Sequence, residues 1–197
     1  QRTIESTAQA GTGYVAQRWK ASDITPDMNV VTIRQHNESI GWGAAYWQYV
    51  DDLENIESME MGISIKKSYL LIGADGKASE LRENSHVKVG DRVRVQLLVS
   101  CDRHLEYLEL KEGRPAGFEP VNSASGWRWN DGLRYYAAVT NTAMHIYINR
   151  MDKGKYVISY DLFATQAGNF GTGLSVMQSL YAPEFRAIGA GRRITVD

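Results

Sequence analysis

The chain has 197 residues, 43% of them hydrophobic and 23% charged, which excludes a disordered chain and leaves room for a sizeable core. Its 22 Lys and Arg residues nearly balance 23 Asp and Glu residues, so we expect no nucleic-acid partner, because phosphate binding needs a basic face. Every apolar run is shorter than the roughly 20 residues that cross a bilayer, so we expect no direct membrane insertion.

The first part of the chain predicts a small β region. The stretches 13–19, 29–36 and 41–50 are rich in β-branched and aromatic residues and predict three strands. Three strands are too few to enclose a core, and the opening "QRTIESTAQA" carries no signal-peptide pattern, so we expect further sequence to precede residue 1. The acidic stretch 51–60 indicates a connector. We place the domain boundary near Ser58, which gives regions 1–58 and 59–197.

The second region predicts an all-β sandwich of seven strands. The clearest signal is "VKVGDRVRVQLLVSC", in which valines and leucines from Val89 onward alternate with Arg92, Arg94 and Gln96. Such a period of two is typical of a strand with one buried face. Turn signals separate the strands, which is the pattern of an immunoglobulin or fibronectin type III sandwich. The seven predicted strands are 63–72, 87–101, 105–110, 133–139, 144–148, 155–165 and 192–196.

The stretch "YLELKEGRPAGFEP", residues 107–120, combines two carboxylates with an arginine on a glycine-rich turn. Glu112 and Glu119 could act as a catalytic pair, with Arg114 beside them. The same residues could instead form the corner of a purely structural sandwich. The residues alone leave both interpretations open.

Cys101 and the histidines give weak chemical signals. Cys101 is in phase with the buried face of its strand, whereas a nucleophilic thiol needs exposure and a lowered pKa, so we predict an inert buried thiol. A pair of Cys101 with nearby His104 is the alternative. The four histidines stand apart from one another and show no zinc-binding spacing, so we expect no metal and no cofactor. They are His36, His86, His104 and His145.

Two glycine-rich stretches and one acidic cluster resemble binding loops. The stretches 168–173 and 189–193 lack the Lys-Ser/Thr pair of a phosphate loop, and we predict turns between strands. The acidic cluster predicts a solvated linker, with calcium binding as the alternative, although it lacks EF-hand spacing. The cluster consists of Asp51, Asp52, Glu54, Glu57 and Glu60.

The tryptophans supply the candidate contact residues. Trp127 and Trp129 share one face of a strand, with Arg128 opposite, and Tyr135 and Tyr136 follow shortly after. Exposed aromatic side chains on a β-sandwich could stack on sugar rings or contact a partner, so we identify Trp127, Trp129 and Tyr135 as candidate contact residues. The interpretation that we favour is that these large rings fill the space between two sheets or two domains.

Seven stretches of the sequence, called phrases here, occur in an order that resembles the sequences of one protein family. They are similar to the C-terminal end of bacterial alpha-2-macroglobulin-like proteins, especially the large envelope proteins of Bacteroides-type bacteria, and the similarity runs from about Trp42 to the end. The phrases are "WGAAYWQYVDDLENI", "ISIKKSYLL", "VKVGDRVRVQLLV", "LEYLELKEGRPAGFEP", "SGWRWNDGLRYY", "DKGKYVISYDLFATQAGNF" and "SLYAPEFRA".

The resemblance implies an architecture. Residues 59–197 would be the final macroglobulin domain, the tenth in bacterial members, which is a seven-stranded β-sandwich. Residues 1–58 would be part of a CUB-like β region that follows a helical, thioester-type domain.

The resemblance also implies a function. Members of the family trap proteases that cut a bait segment, and many capture them through a thioester in the motif Cys-x-Glu-Gln. Here the single cysteine lies in "CDRH", so no catalytic residue carries over. We therefore expect a non-catalytic structural and interaction module at the periplasm, cell envelope or exterior, whose partners are other domains of the parent chain and, through the whole protein, target proteases.

For the corner at 107–120, the resemblance favours the structural interpretation. Leu108 and Leu110 would anchor the strand, Pro115 would fix φ and Gly117 would permit the turn. Arg114 and Glu119 are expected to pair across the loop. Two alternatives to the structural module remain, namely a carbohydrate- or peptide-binding sandwich that uses the exposed aromatic residues, and an enzyme that uses Cys101 or the two glutamates.

Overall fold

The structure is a computed structural model that describes residues 16–32, 40–82 and 85–197. The chain forms two compact units, Gln1–Tyr49 and Val50–Asp197, which are described separately. The predicted boundary near Ser58 lies inside the second unit, immediately before its first strand, and stays a prediction.

The described residues of the first unit form no strand. They contain the short 3-10 turns Ala21–Asp23 and Pro26–Asn29, and residues 41–50 are irregular throughout. The three predicted strands are therefore wrong wherever they are described, while 13–15 and 33–36 lie outside the described residues. Trp42 is 95% exposed, which shows the physical reason: strand-forming residues need a paired, half-buried surface. The assignment of 1–58 to a CUB-like region stays a prediction.

The second unit begins with the 3-10 turn Leu53–Asn55 and continues as an all-β body. The strands are β1 (Met59–Met61), β2 (Ile63–Ile72), β3 (Ala78–Glu80), β4 (Arg92–Cys101), β5 (Leu105–Gly113), β6 (Phe118–Pro120), β7 (Gly126–Asn130), β8 (Leu133–Val139), β9 (Ala143–Met151), β10 (Gly154–Ala164), β11 (Gly168–Gly171), β12 (Ser175–Ser179), β13 (Arg186–Gly189) and β14 (Arg193–Val196).

The strands form two large antiparallel sheets and one small one. One sheet has the order β1-β13-β12-β5-β9-β8-β7, the second has the order β3-β2-β4-β10-β6, and β11 pairs with β14. The all-β sandwich prediction is confirmed, and each of the seven predicted strands corresponds to a long strand or to β14. The further strands are three to five residues long. Apart from β7, whose Trp127 and Trp129 share one face, they are too short to show a period of two.

The core consists of alternating side chains from the two large sheets. Val93, Val95, Leu97 and Val99 of β4 are fully buried, as their spacing predicts. From the other sheet come Leu108 and Leu110 of β5 and Ile146 and Ile148 of β9. Burying a side chain of this size contributes about 1.5–3 kcal/mol, so this contact between sheets is the main source of stability.

The start of β4 differs from the prediction. Val89 was expected on the buried face, but it is 53% exposed. Gly90 adopts a φ of +96°, and Asp91 closes a turn by accepting a hydrogen bond from the backbone N–H of Lys88 at 2.8 Å. This turn breaks the alternation, so the strand begins at Arg92.

Candidate functional site

The exposed aromatic side chains lie on an edge strand. β7 is the last strand of the seven-stranded sheet, and its Trp127 and Trp129 are 54% and 71% exposed. An edge strand presents unpaired backbone groups to any partner that approaches it. The favoured interpretation that these tryptophans fill the gap between two sheets is therefore wrong, while its other form, that they fill a gap between two domains, stays a prediction. They remain candidate contact residues.

Neighbouring side chains hold this aromatic edge in place. Tyr136 of β8 lies opposite Trp127 and opposite Tyr147 of β9 in the sheet register. The rings of Trp127 and Tyr136 meet edge to face at 5.6 Å, and the Arg134 guanidinium lies 4.4 Å from the centre of the Trp127 ring. Such contacts are worth about 0.5–1.5 kcal/mol each, so Trp127 is held in one orientation.

Tyr135 does not belong to this surface. It is only 3% exposed, because it follows Arg134 in a strand and therefore points to the opposite face of the sheet. Burial raises the pKa of its hydroxyl. Tyr135 is a core residue. Its place in the candidate site is taken by its neighbour Tyr136 and by Tyr147 of β9, and only Tyr147 escaped the sequence analysis.

Glu112 lies at the centre of a buried polar cluster between the sheets. It is fully buried, and the Lys67 Nζ lies 2.5 Å from its Oε1. Tyr160 donates a hydrogen bond of 3.0 Å to Oε1, and the Ser175 hydroxyl donates to Oε2. Lys67 also donates to the backbone carbonyl of Thr172 at 3.3 Å. The carboxylate charge is therefore fully committed to partners within the protein.

The pKa values in this cluster reflect burial and pairing together. Burial raises the pKa of Glu112, against the opposing effect of Lys67 and the two hydroxyl donors. Burial works to lower the pKa of Lys67, but the charge and hydrogen bond of Glu112, together with Tyr69, outweigh it and raise that pKa. The two raised pKa values have different causes: removal from water dominates for Glu112, and attraction to its partner dominates for Lys67.

The structure separates the two carboxylates of the proposed catalytic pair. Glu112 is buried in the seven-stranded sheet, whereas Glu119 is exposed on β6 of the five-stranded sheet. Arg114 does not pair with Glu119, because its guanidinium donates instead to the carbonyl of Asn141. The arrangement supports a structural corner.

Three residues shape this corner. Leu108 and Leu110 are buried, as expected. Gly117 serves a different purpose from the one predicted: it does not have a positive φ, but a Cβ there would lie 2.3 Å from the Phe170 ring. It is needed for close approach, not for a special turn.

Cys101 lies in the core, as predicted. It is 7% exposed, its thiol donates to the carbonyl of Asp152 at 3.1 Å, and burial raises its pKa. His104 does not form the imagined pair with it, because His104 Nδ1 lies 2.6 Å from a carboxylate oxygen of Asp152. The hydrogen bond with Asp152 raises the pKa of His104.

We expect the Cys101 thiol to be unreactive in the folded chain. Labelling with a thiol reagent at pH 8 should proceed at least tenfold more slowly than in urea, because the thiolate form is disfavoured and shielded. A small thiol peptide labelled in parallel controls for the reagent. Rapid labelling of the folded chain would revive the cysteine-enzyme alternative.

The remaining sequence signals are the acidic cluster and the two glycine-rich stretches. Within the described ranges, no group of three His, Cys, Asp or Glu side chains is placed to hold a metal ion. Asp51 accepts hydrogen bonds from the backbone N–H of Asp52 at 2.8 Å and from the Asn55 amide at 2.7 Å, which orders the short turn there. The glycine-rich stretches form β11 and the approach to β14. No described helix is long and apolar enough to span a membrane.

A second ionic group lies on the outer face of the five-stranded sheet. Arg92 and Arg94 of β4 both donate to Asp161 of β10, with Nε–O distances of 2.8 and 2.7 Å. The hydrogen bond from Arg94 is the main cause that lowers the pKa of Asp161, with Arg92 adding to it. Sequence analysis missed this group, although Arg92 and Arg94 have the spacing of one strand face.

This group predicts a fall in stability in acid. A carboxyl with a lowered pKa stabilises the fold above its ordinary value of 3.8, and that contribution is lost as pH falls through the lowered pKa. Both arginines are about two-fifths exposed, so we expect about 1 kcal/mol. We measure the free energy of unfolding by urea titration at several pH values between 2 and 5, and it should depend less on pH in Asp161→Asn than in the unmodified chain. Arg94→Gln should act in the same direction, and an unchanged acid slope in both variants would contradict this assignment.

Comparisons with known proteins agree with this architecture. A family model described as the bacterial alpha-2-macroglobulin MG10 domain matches residues 62–184. No curated protein is significantly similar to the chain.

Three solved structures share the fold. A mutant of Salmonella alpha-2-macroglobulin superposes with a TM-score of 0.57 at 20% identity, covering 72% of this chain and 10% of its own. Trypsin-activated alpha-2-macroglobulin from Escherichia coli gives 0.56 at 18% identity, covering 71% and 10%. A native Escherichia coli structure that spans domain MG7 to the C-terminus gives 0.56 at 19% identity, covering 71% and 24%. The chain thus spans about a tenth of the length of the first two proteins.

Proposed function

Because the chain belongs to the family of the bacterial alpha-2-macroglobulin MG10 domain, we propose that it is a non-catalytic C-terminal structural and interaction module of a bacterial alpha-2-macroglobulin-like protein. The parent protein would trap endopeptidases in the periplasm, at the cell envelope or outside the cell. The match over residues 62–184 is the observation that carries the proposal. The origin in Bacteroides-type bacteria stays a prediction.

The chemistry of the second unit supports a mechanical role. Its thiol is buried and has a raised pKa, so it is a poor nucleophile. Its buried carboxylate, Glu112, is occupied by Lys67, Tyr160 and Ser175. A dehydrated cluster of this kind holds two sheets in one register, which suits a module that transmits contacts between neighbouring domains.

The proposal is tested on the full-length protein encoded by the gene. We expect the full-length protein to protect a large protein substrate from an added endopeptidase such as elastase or trypsin, while cleavage of a small peptide substrate continues. Replacing the active-site serine of the endopeptidase provides the control for nonspecific association. If the full-length protein leaves cleavage of the large substrate unchanged across a panel of endopeptidases, the trapping role is wrong.

A second candidate function is ligand binding by the aromatic edge, either of a carbohydrate or of an extended peptide. The exposure of Trp127 and Trp129 on an edge strand favours it, because flat rings stack on sugars and the free edge can pair with a peptide strand. Titration of a glycan panel and a peptide panel should then change tryptophan fluorescence. The change should disappear in Trp127→Ala and Trp129→Ala and persist in Trp42→Ala. No change with either panel would remove this candidate.

A further inference from the structure

An arginine-rich cavity opens in the second unit beside the edge of the five-stranded sheet. Strand β6 pairs with β10 from Leu162 to Ala164, and the backbone N–H of Val121 bonds to the carbonyl of Asp161 at 2.9 Å. The cavity lies next to this end of the pairing, beside Ser159, Tyr160 and Asp161. The cavity has a volume of about 240 Å³, and both sheets contribute to its walls. Four arginines line it, together with Asp161 and Glu112. The four arginines are Arg92, Arg94, Arg114 and Arg128.

The charges in this cavity do not balance. Glu112 is already neutralised by Lys67, and Asp161 is shared by Arg92 and Arg94. That leaves more positive than negative charge on a concave surface, where low-dielectric walls strengthen the field.

Arg114 and Arg128 carry most of this excess. The Arg114 guanidinium donates to the carbonyl of Asn141, and the Arg128 guanidinium donates to the carbonyl of Ala124 at 3.1 Å. In the described part of the chain, neither arginine has a carboxylate within ion-pair distance. Each guanidinium has five N–H donors in a planar fork, so most of their donors remain available to a ligand.

We propose that this cavity is a binding site for a small oxyanion, a carboxylate or a phosphate group. Guanidinium groups bind such oxygens in pairs, through charge-assisted hydrogen bonds. The volume lies below the roughly 300–1,000 Å³ typical of sites for drug-sized ligands, so the site fits one anionic group and excludes an oligosaccharide. The anion comes either from solution or from an acidic side chain of a neighbouring polypeptide segment.

The site is tested by calorimetric titration of the chain at low ionic strength with inorganic phosphate, succinate and a short glutamate-rich peptide. We expect saturable binding of at least one of these probes. Arg114→Gln and Arg128→Gln should each weaken it about tenfold, because a hydrogen bond to a charged group is lost. Arg134→Gln is the matched control, since Arg134 lies on Trp127 outside the cavity, and it should bind as the unmodified chain does.

Asp161→Asn should change the anion affinity in the opposite direction. It releases Arg92 and Arg94 from their carboxylate partner, so anion affinity should rise severalfold. Thermal melting of each variant shows that it is folded, and binding by Arg128→Gln decides the matter if Arg114→Gln does not fold. Tight peptide binding identifies a polypeptide source, and equal binding of succinate or phosphate identifies an anion from solution. Absence of saturable binding by all three probes, or equal affinity of both arginine variants and the unmodified chain, would overturn the proposal.

Discussion

Replacing Lys67 by methionine is expected to lower the free energy of unfolding by about 3–5 kcal/mol, the range for breaking a buried ion pair by removing one partner. Lys67 and Glu112 have side chains that are 3% and 0% exposed. The variant therefore leaves a carboxylate in the core with two hydroxyl donors and no cation. Urea unfolding of both chains at pH 8 measures the difference.

The pH dependence of the Lys67→Met variant identifies the cause. Burial already raises the pKa of Glu112 above its ordinary value of 4.5, and loss of Lys67 raises it further. A carboxyl with a raised pKa favours the folded state below that ordinary value, and this advantage is lost as pH rises through the raised pKa. The variant should thus lose more stability at pH 8 than at pH 4.

A double variant separates the charge from the packing. Lys67→Met with Glu112→Leu removes both charges and replaces them with apolar side chains, which is often neutral or stabilising. We expect it to recover much of the loss, and a positive coupling energy in the double-mutant cycle. If the double variant instead loses the sum of what Lys67→Met and Glu112→Leu lose separately, the charge pair contributes little, and altered packing explains both losses.

Replacing Gly117 by alanine is expected to cost about 1–3 kcal/mol, the range for inserting a methyl group into a packed site. The new Cβ would lie 2.3 Å from the Phe170 ring. That ring is itself held edge to face against Phe118, with the ring centres 6.3 Å apart, so it has little freedom to move. Thermal or urea unfolding measures the loss.

Gly126→Ala is the matched control for this prediction. A Cβ at Gly126 meets no atom within 4 Å, so the stability should change by less than about 0.5 kcal/mol. Replacing Phe170 by leucine in the Gly117→Ala background should make the alanine less costly. If Gly117→Ala is as harmless as Gly126→Ala, the close approach at the corner is not a constraint on the fold.

Long strands could be predicted because each one carries enough residues to display its period. β2 and β8 have the predicted bounds, and the buried residues of β4 alternate as expected. Most of the short strands could not be found in this way, because three or four residues display too little of a period, and they become strands by pairing with their neighbours in a sheet. β13, for example, lies between β1 and β12.

The buried ion pair was within reach of the same reasoning. Lys67 is in phase with the buried Ile63 and Ile65, and Glu112 is in phase with Leu108 and Leu110. Opposite charges at buried positions of two strands are the signal, since an isolated charge there is too costly. The sequence does not show how the two sheets stack, and this stacking decides whether Lys67 and Glu112 meet.

The exposure of the tryptophans could not be predicted for a related reason. Alternation places Trp127 and Trp129 on one face of β7, but it does not say which face is covered. Only the strand order shows that β7 ends its sheet. Tyr135, by contrast, could have been placed in the core, because it is in phase with Leu133 and Ala137 of the same strand.

We propose above that this chain is a non-catalytic module of an alpha-2-macroglobulin-like protein, and that proposal can be tested on the chain itself. The most direct test incubates the purified 197-residue chain with equimolar trypsin or elastase and measures cleavage of a protein substrate and covalent complex formation. We expect full protease activity and no complex. Stoichiometric loss of protease activity, or a covalent adduct between the chain and the protease, would contradict it.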